Sequence, residues 1–461
     1  MGRCRLLVLI IMLAAGAARA QDANYWSNQY GTRAEMLGGL VVGSAGDLSA
    51  SYYNPGWLAL RLDTSLLVTT QALEYTTLNI EDPVGTGEDA AYTQFRPSPR
   101  FLGGRLRGGS DGWTMTWSYL EKTRFRYDAT ARYINASPAP APDGTLWFSG
   151  EVFRQTETHD YYYGASFSRR LGQRTAIGFT PYVAYRSQNQ RIQAAVQAMG
   201  AGGQFADIYV VDQFDYWHAR GLAKIGLACD TRPVSFGLSV TTPSLAIMGS
   251  GEVYRTLQSS GFDIDDDGLP DTYLAATEQK DLDARWKSAL SVAAGAGVRF
   301  GRTGLYATAE WFNAVPEYEV ITTAPYRSQS DGEILTIERD VVLRSLINFG
   351  FGVDHRFSEQ FALYAAFRSD YSSQASPPAS DVLMTTWDLW HATVGSSFQF
   401  LGIELTSGLE YSFGDGTTIS WGDYSGDGSD GILAVGRTAE VHYDRLKLLF
   451  GFDLAVLTGG S

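Results

Sequence analysis

Leu446-Lys447-Leu448-Leu449-Phe450-Gly451-Phe452-Asp453-Leu454-Ala455-Val456 decides the fold. Leu446, Leu448, Phe450, Phe452, Leu454 and Val456 fall on one side of a period-two pattern. Lys447, Gly451, Asp453 and Ala455 fall on the other, with Leu449 the one large apolar exception. A period of two is that of a strand. Eleven residues of it exceed the usual length of a sandwich strand. A strand that faces lipid on one side and a polar lumen on the other keeps such a pattern throughout.

The pattern recurs. Ile347, Phe349, Phe351 and Val353 alternate with Asn348, Gly350, Gly352 and Asp354. Leu290, Val292, Ala294, Ala296, Val298 and Phe300 alternate with smaller or charged residues, and Val234, Phe236, Leu238 and Val240 repeat it once more. Strands are expected near 63–77, 97–107, 112–134, 145–171, 173–197, 204–230 and 232–257. They continue near 277–300, 304–324, 334–357, 360–371, 384–400, 402–413 and 437–457. Short joints such as Gly172-Gln173, Gly301-Arg302 and Ser358-Glu359 alternate with long polar excursions, as between the periplasmic and extracellular rims of a barrel. No stretch beyond residue 20 holds the roughly 18 apolar residues of a spanning helix. In lipid only helices and closed barrels satisfy every backbone group. The reading is an all-β fold: a transmembrane antiparallel β-barrel of about 14 strands over residues 61–461.

Residues 1–20 read as a signal peptide. Arg3 and Arg5 precede an apolar run from Leu6 to Ala15, and Ala18-Arg19-Ala20 supplies the cleavage pattern. Cleavage leaves Cys229 as the one cysteine, which excludes an internal disulfide. The net charge is −14, and losing Arg3, Arg5 and Arg19 with the leader takes it to −17. That balance argues against a nucleic-acid partner.

Residues 21–60 are different in kind. Gly38 to Leu60 read GGLVVGSAGDLSASYYNPGWLAL, rich in small residues and punctuated by Tyr53-Asn54-Pro55-Gly56. A barrel of fourteen strands has a lumen too wide for its own side chains to fill. A segment of Gly, Ala and Ser can lie close against the wall, and Asn-Pro fixes a turn. The expectation is a plug, or hatch, inside the lumen, with Asp47, Asn54, Pro55 and Gly56 at its turn.

A cleaved leader, then GDLSASYYNPGWLA, then about fourteen strands, resembles the FadL-type outer-membrane transporters of long-chain fatty acids and other hydrophobic compounds. In that family an N-terminal plug carries an Asn-Pro-Ala turn; here Gly56 follows Asn54-Pro55. The family's acidic-plus-arginine signature has no clear counterpart, only Trp387-Asp388-Leu389-Trp390-His391 in a comparable place. The resemblance implies passive uptake through a monomeric barrel in the outer membrane of a Gram-negative-type bacterium, with lipid around it and no cofactor required. The alternative is a structural or secretion-associated barrel that docks partner proteins.

Phe179 and Tyr185, with Pro181 and Val183 between them, form one candidate ligand wall, and Arg344, Arg356 and Arg368 could meet a carboxylate. Pro181 and Pro243 are strand-interior prolines, each a possible bulge or gap. Asp263, Asp265, Asp267 and Asp271, with Gly268 among them, have the spacing of a weak calcium loop that lacks its closing glutamate. The five histidines are scattered, and neither a nucleophile elbow nor a phosphate loop is present, so an enzyme is not expected. A Ser-His pair formed across strands would escape such a reading.

Overall fold

The computed structural model of the chain describes residues 23–61, 64–83, 89–108, 112–134, 145–200, 205–261, 272–374, 382–400, 403–419 and 438–455. The expected leader lies outside them. Three short helices come first: α1 (Thr32–Met36), α2 (Ala50–Tyr53) and α3 (Trp57–Leu60). The first strands are β1 (Thr64–Ile80), β2 (Ala90–Gly108), β3 (Trp113–Ile134), β4 (Thr145–Arg170), β5 (Thr175–Gly200) and β6 (Phe205–Asp230). Shorter ones follow: β7 (Val234–Thr241), β8 (Leu245–Ser260), β9 (Thr272–Leu282), β10 (Ser291–Phe300) and β11 (Thr303–Phe312). Next come β12 (Val315–Glu319), β13 (Tyr326–Arg327), β14 (Ile334–Leu335), β15 (Asp340–Leu343) and β16 (Leu346–Arg356). The last are β17 (Phe361–Asp370), β18 (Leu389–Phe400), β19 (Ile403–Ile419) and β20 (Thr438–Ala455).

Neighbouring wall strands pair antiparallel, and β20 returns to β1, closing a barrel of 14 strands. Two pairs of elements each make one wall strand. β6 pairs first with β7 and, beyond Thr242-Pro243-Ser244, with β8. In the next wall strand β10 pairs with β7 and β9 with β8, leaving residues 283–290 between them.

The alternation in β20 is realised as expected: Leu446 and Phe450 are exposed to the outside while Lys447, Gly451 and Asp453 are buried inward. The exception, Leu449, also points inward and joins the apolar core around the plug. Leu238, Phe236, Phe351 and Phe367 similarly stand on the outer face. An exposed apolar surface this extensive is built for lipid.

β4, β5 and β6 each hold 26 residues. At roughly 3.3 Å per residue that is about 85 Å of strand, against the 9–11 residues or so that cross a bilayer. The wall therefore rises well beyond the membrane on the long-loop side. There it does not stay tubular. β2 and β3 are paired from Gly108↔Thr114 up to Phe101↔Leu120, and no higher pair joins them among the described residues. Above that level β1 and β2 with β19 and β20 face β3 to β6, and Leu78, Ile80, Tyr127, Val152, Val196 and Ile208 form an apolar core between them. Met384 and Trp387, from the loop between β17 and β18, complete this core.

Four strands expected to be continuous are interrupted: 232–257, 277–300, 304–324 and 334–357. Pro243 has no amide to donate, and the wall breaks beside it. The excursion between β11 and β16 folds into two small hairpins, β12 with β15 and β13 with β14. It fills the second break, where the Arg285 amide donates to the Val320 carbonyl and Thr322 to Asp283. Pro181 makes no bulge. It stays opposite Ala223, and the β4–β5 register is the same on either side of it.

Candidate functional site

The plug occupies the lumen, and glycines in the wall let it approach. Gly178 lies opposite Gly226, and Gly237 opposite Gly295. A Cβ on Gly226 would stand 2.1 Å from the Asn54 Oδ1, and one on Gly237 1.9 Å from the Val42 carbonyl oxygen. On the far wall Gly395 and Gly408 are paired and receive Met36 of α1.

Asn54 holds the turn. Its side-chain amide donates to the carbonyls of Val42 and Leu227, each at 3.0 Å, so one side chain joins two plug segments to the wall. Its Oδ1 accepts the Gly56 amide at 3.1 Å, the local bond that makes Asn-Pro-Gly a turn. Asp47 accepts the amide and the hydroxyl of Ser49 at the start of α2.

The plug's first residues are held by charge. The Trp26 amide donates to Asp370 at 2.7 Å, while its carbonyl accepts from Arg368 at 3.1 Å. The Ser27 carbonyl accepts from Lys447 at 2.8 Å and Arg445 at 3.1 Å. Arg368 and Lys447 are in turn paired with Glu410, at 2.7 Å each. Ser412 lies 2.7 Å from the Nδ1 of His391, which faces Asp370. That Ser-His-Asp set is fully buried, and both Asp370 oxygens are used by the plug. It holds the plug in place.

The plug also seals an interruption in the wall. β3 is irregular between Glu121 and Thr123, at the height where β2 leaves it. The Tyr30 hydroxyl donates to the Glu121 carbonyl at 3.0 Å and the Asn28 amide to the Lys122 carbonyl at 3.2 Å. Buried carbonyls need partners, and here the plug supplies them. Arg100, on β2, bridges Glu74 and Glu121 beside this seam.

Between the plug tip and the wall lies a cavity of about 80 Å3. It reaches Lys122 and Thr123 at the β3 irregularity and Thr241, Ser288 and Ala289 at the break beside Pro243. Tyr25, Tyr52, Tyr162, Tyr182, Trp286 and Phe312 give it an aromatic lining. On the short-turn side, beneath the plug, an open vestibule of about 960 Å3 is lined by Arg33, Arg61, Arg299 and Arg356.

The expected ligand residues are dispersed. Phe179 and Tyr185 turn outward into lipid, Tyr185 stacked on Trp217. Alternation defines two faces of a strand without saying which is the lumen, and Thr180, Tyr182, Ala184 and Arg186 occupy the inward one. Arg344 sits at the long-loop end, bound to Asp388 and the Ser372 carbonyl, away from the cavity. Arg356 lines the vestibule, and Arg368 is committed to Glu410. Asp263, Asp265, Asp267 and Asp271 lie outside the described residues. Glu81, Glu440 and His442 bring potential ligand atoms within 4.8 Å of one another on the long-loop rim, all in solvent contact. Tyr52, Lys122 and Trp286 gather at the cavity from separate parts of the chain, facing Arg220 and Lys224 of β6. None of the five was singled out by the sequence, since their convergence depends on strand register and on where the plug lies.

No family model and no curated protein matches the sequence. Solved structures share its fold. A Pseudomonas aeruginosa FadL homologue is 12% identical, with a TM-score of 0.59 over 94% of this chain and 100% of its own. The Pseudomonas putida toluene transporter TodX is 11% identical, with a TM-score of 0.56 over 93% of this chain and 98% of its own. The Ralstonia pickettii toluene transporter TbuX is likewise 11% identical, with a TM-score of 0.52 over 93% and 98%.

Proposed function

We propose that this chain is a monomeric outer-membrane channel for passive uptake of hydrophobic molecules, opened by displacement of its plug. The observation that carries the reading is the pair of bonds from Tyr30 and Asn28 to the carbonyls of Glu121 and Lys122. Because the plug completes the backbone bonding of the β3 irregularity, moving the plug unseals the seam between β2 and β3. A molecule in the aromatic-lined cavity then has a lateral way out. The seam lies beside Tyr119, Tyr161 and Tyr163, which stack across β3 and β4 in the manner of an interfacial girdle. A hydrophobic cargo leaving there enters lipid and need not cross the polar vestibule. Two further facts support the reading: the lipid-facing exterior, and a fold shared with proteins described as toluene transporters.

The test is flux of toluene and of laurate into proteoliposomes, comparing the wild type with Tyr30→Phe and Asn28→Ala. Saturable flux in the wild type, raised by either substitution, is the expected result. Wild-type vesicles that take up neither compound faster than empty ones, while deletion of residues 21–57 opens an ion pore, would overturn it. The chain would then be a plugged barrel without hydrophobic cargo, and partner docking would be the better account.

A further inference from the structure

We infer that the cavity is a binding site for a compact aromatic acid, its anionic group seated on Lys224. This rests on the uptake reading and narrows its cargo. Lys224 projects from β6 into the cavity and is only 5% exposed. Among the described residues its ammonium has neither a hydrogen-bond acceptor nor an ion-pair partner. The ring of the plug's Tyr52 stands 4.5 Å away.

A buried ammonium without a contacting counter-ion is costly, and a π face compensates only part of the lost hydration. Of the nearby acids, Glu310 attracts Lys224 through space without an ion-pair contact, and both acids have donors of their own. Glu310 accepts from the Trp26 indole at 2.8 Å and from the Ser291 hydroxyl at 2.6 Å. Asp160 accepts from Arg220 at 2.6 Å. Five cations line the cavity (Lys122, Arg186, Arg220, Lys224 and Lys287) against those two carboxylates. The missing partner is therefore an anion.

Size and lining define the rest of the molecule. The cavity, at about 80 Å3, is smaller than the roughly 150 Å3 that holds a benzene ring. Entry must enlarge it, and the movable wall is the plug, through Tyr25 and Tyr52. A single ring needs a modest displacement, whereas a long acyl chain needs far more room. Tyr52 lies between two wall lysines, with Lys122 also facing its ring at 5.6 Å. A carboxylate arriving at Lys224 replaces Tyr52 there, so binding and plug displacement become one event.

The experiment is calorimetric titration of the purified full-length protein with benzoate, toluene and laurate, on wild type, Lys224→Met and Lys224→Arg, each checked for the barrel's circular dichroism. Benzoate is expected to bind the wild type, to lose at least about tenfold in affinity with K224M and to recover with K224R. Toluene affinity should be unaffected by K224M. The inference is overturned if benzoate does not bind, if K224M leaves it unchanged, or if laurate or toluene binds the wild type more tightly. Toluene flux that persists in proteoliposomes beside any of those results would leave the uptake reading standing. Absence of all flux would remove both.

Discussion

The backbone amide of Ala23 donates a 2.7 Å hydrogen bond to the hydroxyl of Thr385, across 362 residues of sequence. The bond joins the tip of the plug to the loop between β17 and β18. It does not stand alone: the Ala23 carbonyl accepts from the Ser373 hydroxyl at 2.6 Å, and the Asn24 side chain donates to the Asp370 carbonyl at 2.6 Å. That loop also buries Trp387 in the core that closes the long-loop end. Cap and plug are thus one hydrogen-bonded body, and what loosens the first loosens the second.

A covalent tie at this point should lock the channel. In a Cys229→Ser background, Ala23→Cys with Thr385→Cys is expected to abolish apolar flux when oxidised and restore it on reduction, with the barrel's heat-modifiable gel shift unchanged. Undiminished flux in the oxidised form would mean that the plug opens without leaving the cap.

The glycine contacts predict a different failure. A methyl on Gly237 would overlap the Val42 carbonyl, whose backbone cannot swing away as a long side chain could. Gly237→Ala should leave the barrel folded and expel the plug turn, giving ion conductance in planar bilayers well above the plugged wild type. Asn54→Ala should act in the same direction more mildly. It removes the side-chain bonds to Val42 and Leu227, each worth about 1 kcal/mol net. A wild-type conductance in both would show that the turn does not hold the plug.

Glu35, in α1, makes plug retention depend on pH. Burial holds its carboxyl well above the ordinary value of 4.5; Glu410 adds to the rise, while Thr69, Lys447 and Arg100 oppose it. A raised value means that the docked plug prefers the protonated acid. Its contribution is complete below about pH 4.5 and is lost as pH climbs through the raised value. Protease cleavage of the plug should therefore increase from pH 4.5 to pH 8.5. Glu35→Gln should flatten that dependence, and an equally steep profile in E35Q would place the titration elsewhere.

The barrel was legible because lipid imposes a strict rule on every second residue, as Leu446, Lys447, Phe450 and Gly451 show. The plug was legible because Asn54-Pro55-Gly56 sits in a run of small residues that no core element would choose. The face of β5 was not legible: Phe179 and Thr180 differ in polarity, yet a large apolar residue suits lipid and an apolar pocket equally. Nor was the cavity. Lys224, Arg220 and Lys447 are all inward cations on wall strands, and nothing in the sequence around them sets one apart from the others. Which one lacks an anion depends on Asp160 and Glu410, set by register between strands far apart in the chain. Pro243 marked one break in advance, but residues 283–290 carry no such signal, since their opening depends on the excursion that packs over it.

The charge cluster under Trp26 and Ser27 yields the strongest stability effect. Glu410 is buried and accepts from both Arg368 and Lys447, whose remaining protons hold the two plug carbonyls. Glu410→Gln keeps the shape and removes the charge, so two buried cations lose their common partner. Breaking a buried pair in this way typically costs about 3–5 kcal/mol. The relieved cations will also draw on the Trp26 and Ser27 carbonyls, so the cost should divide between wall and plug. A lowered thermal midpoint of the heat-modifiable band is expected, together with faster protease cleavage near Trp26. Glu278→Gln serves as the control: its pair with Lys280 is in solvent at 2.6 Å, and its loss should move neither reading. If E410Q lowers the midpoint but leaves cleavage at the wild-type rate, the cluster stabilises the wall alone and the plug is held by Asn54 and the glycines.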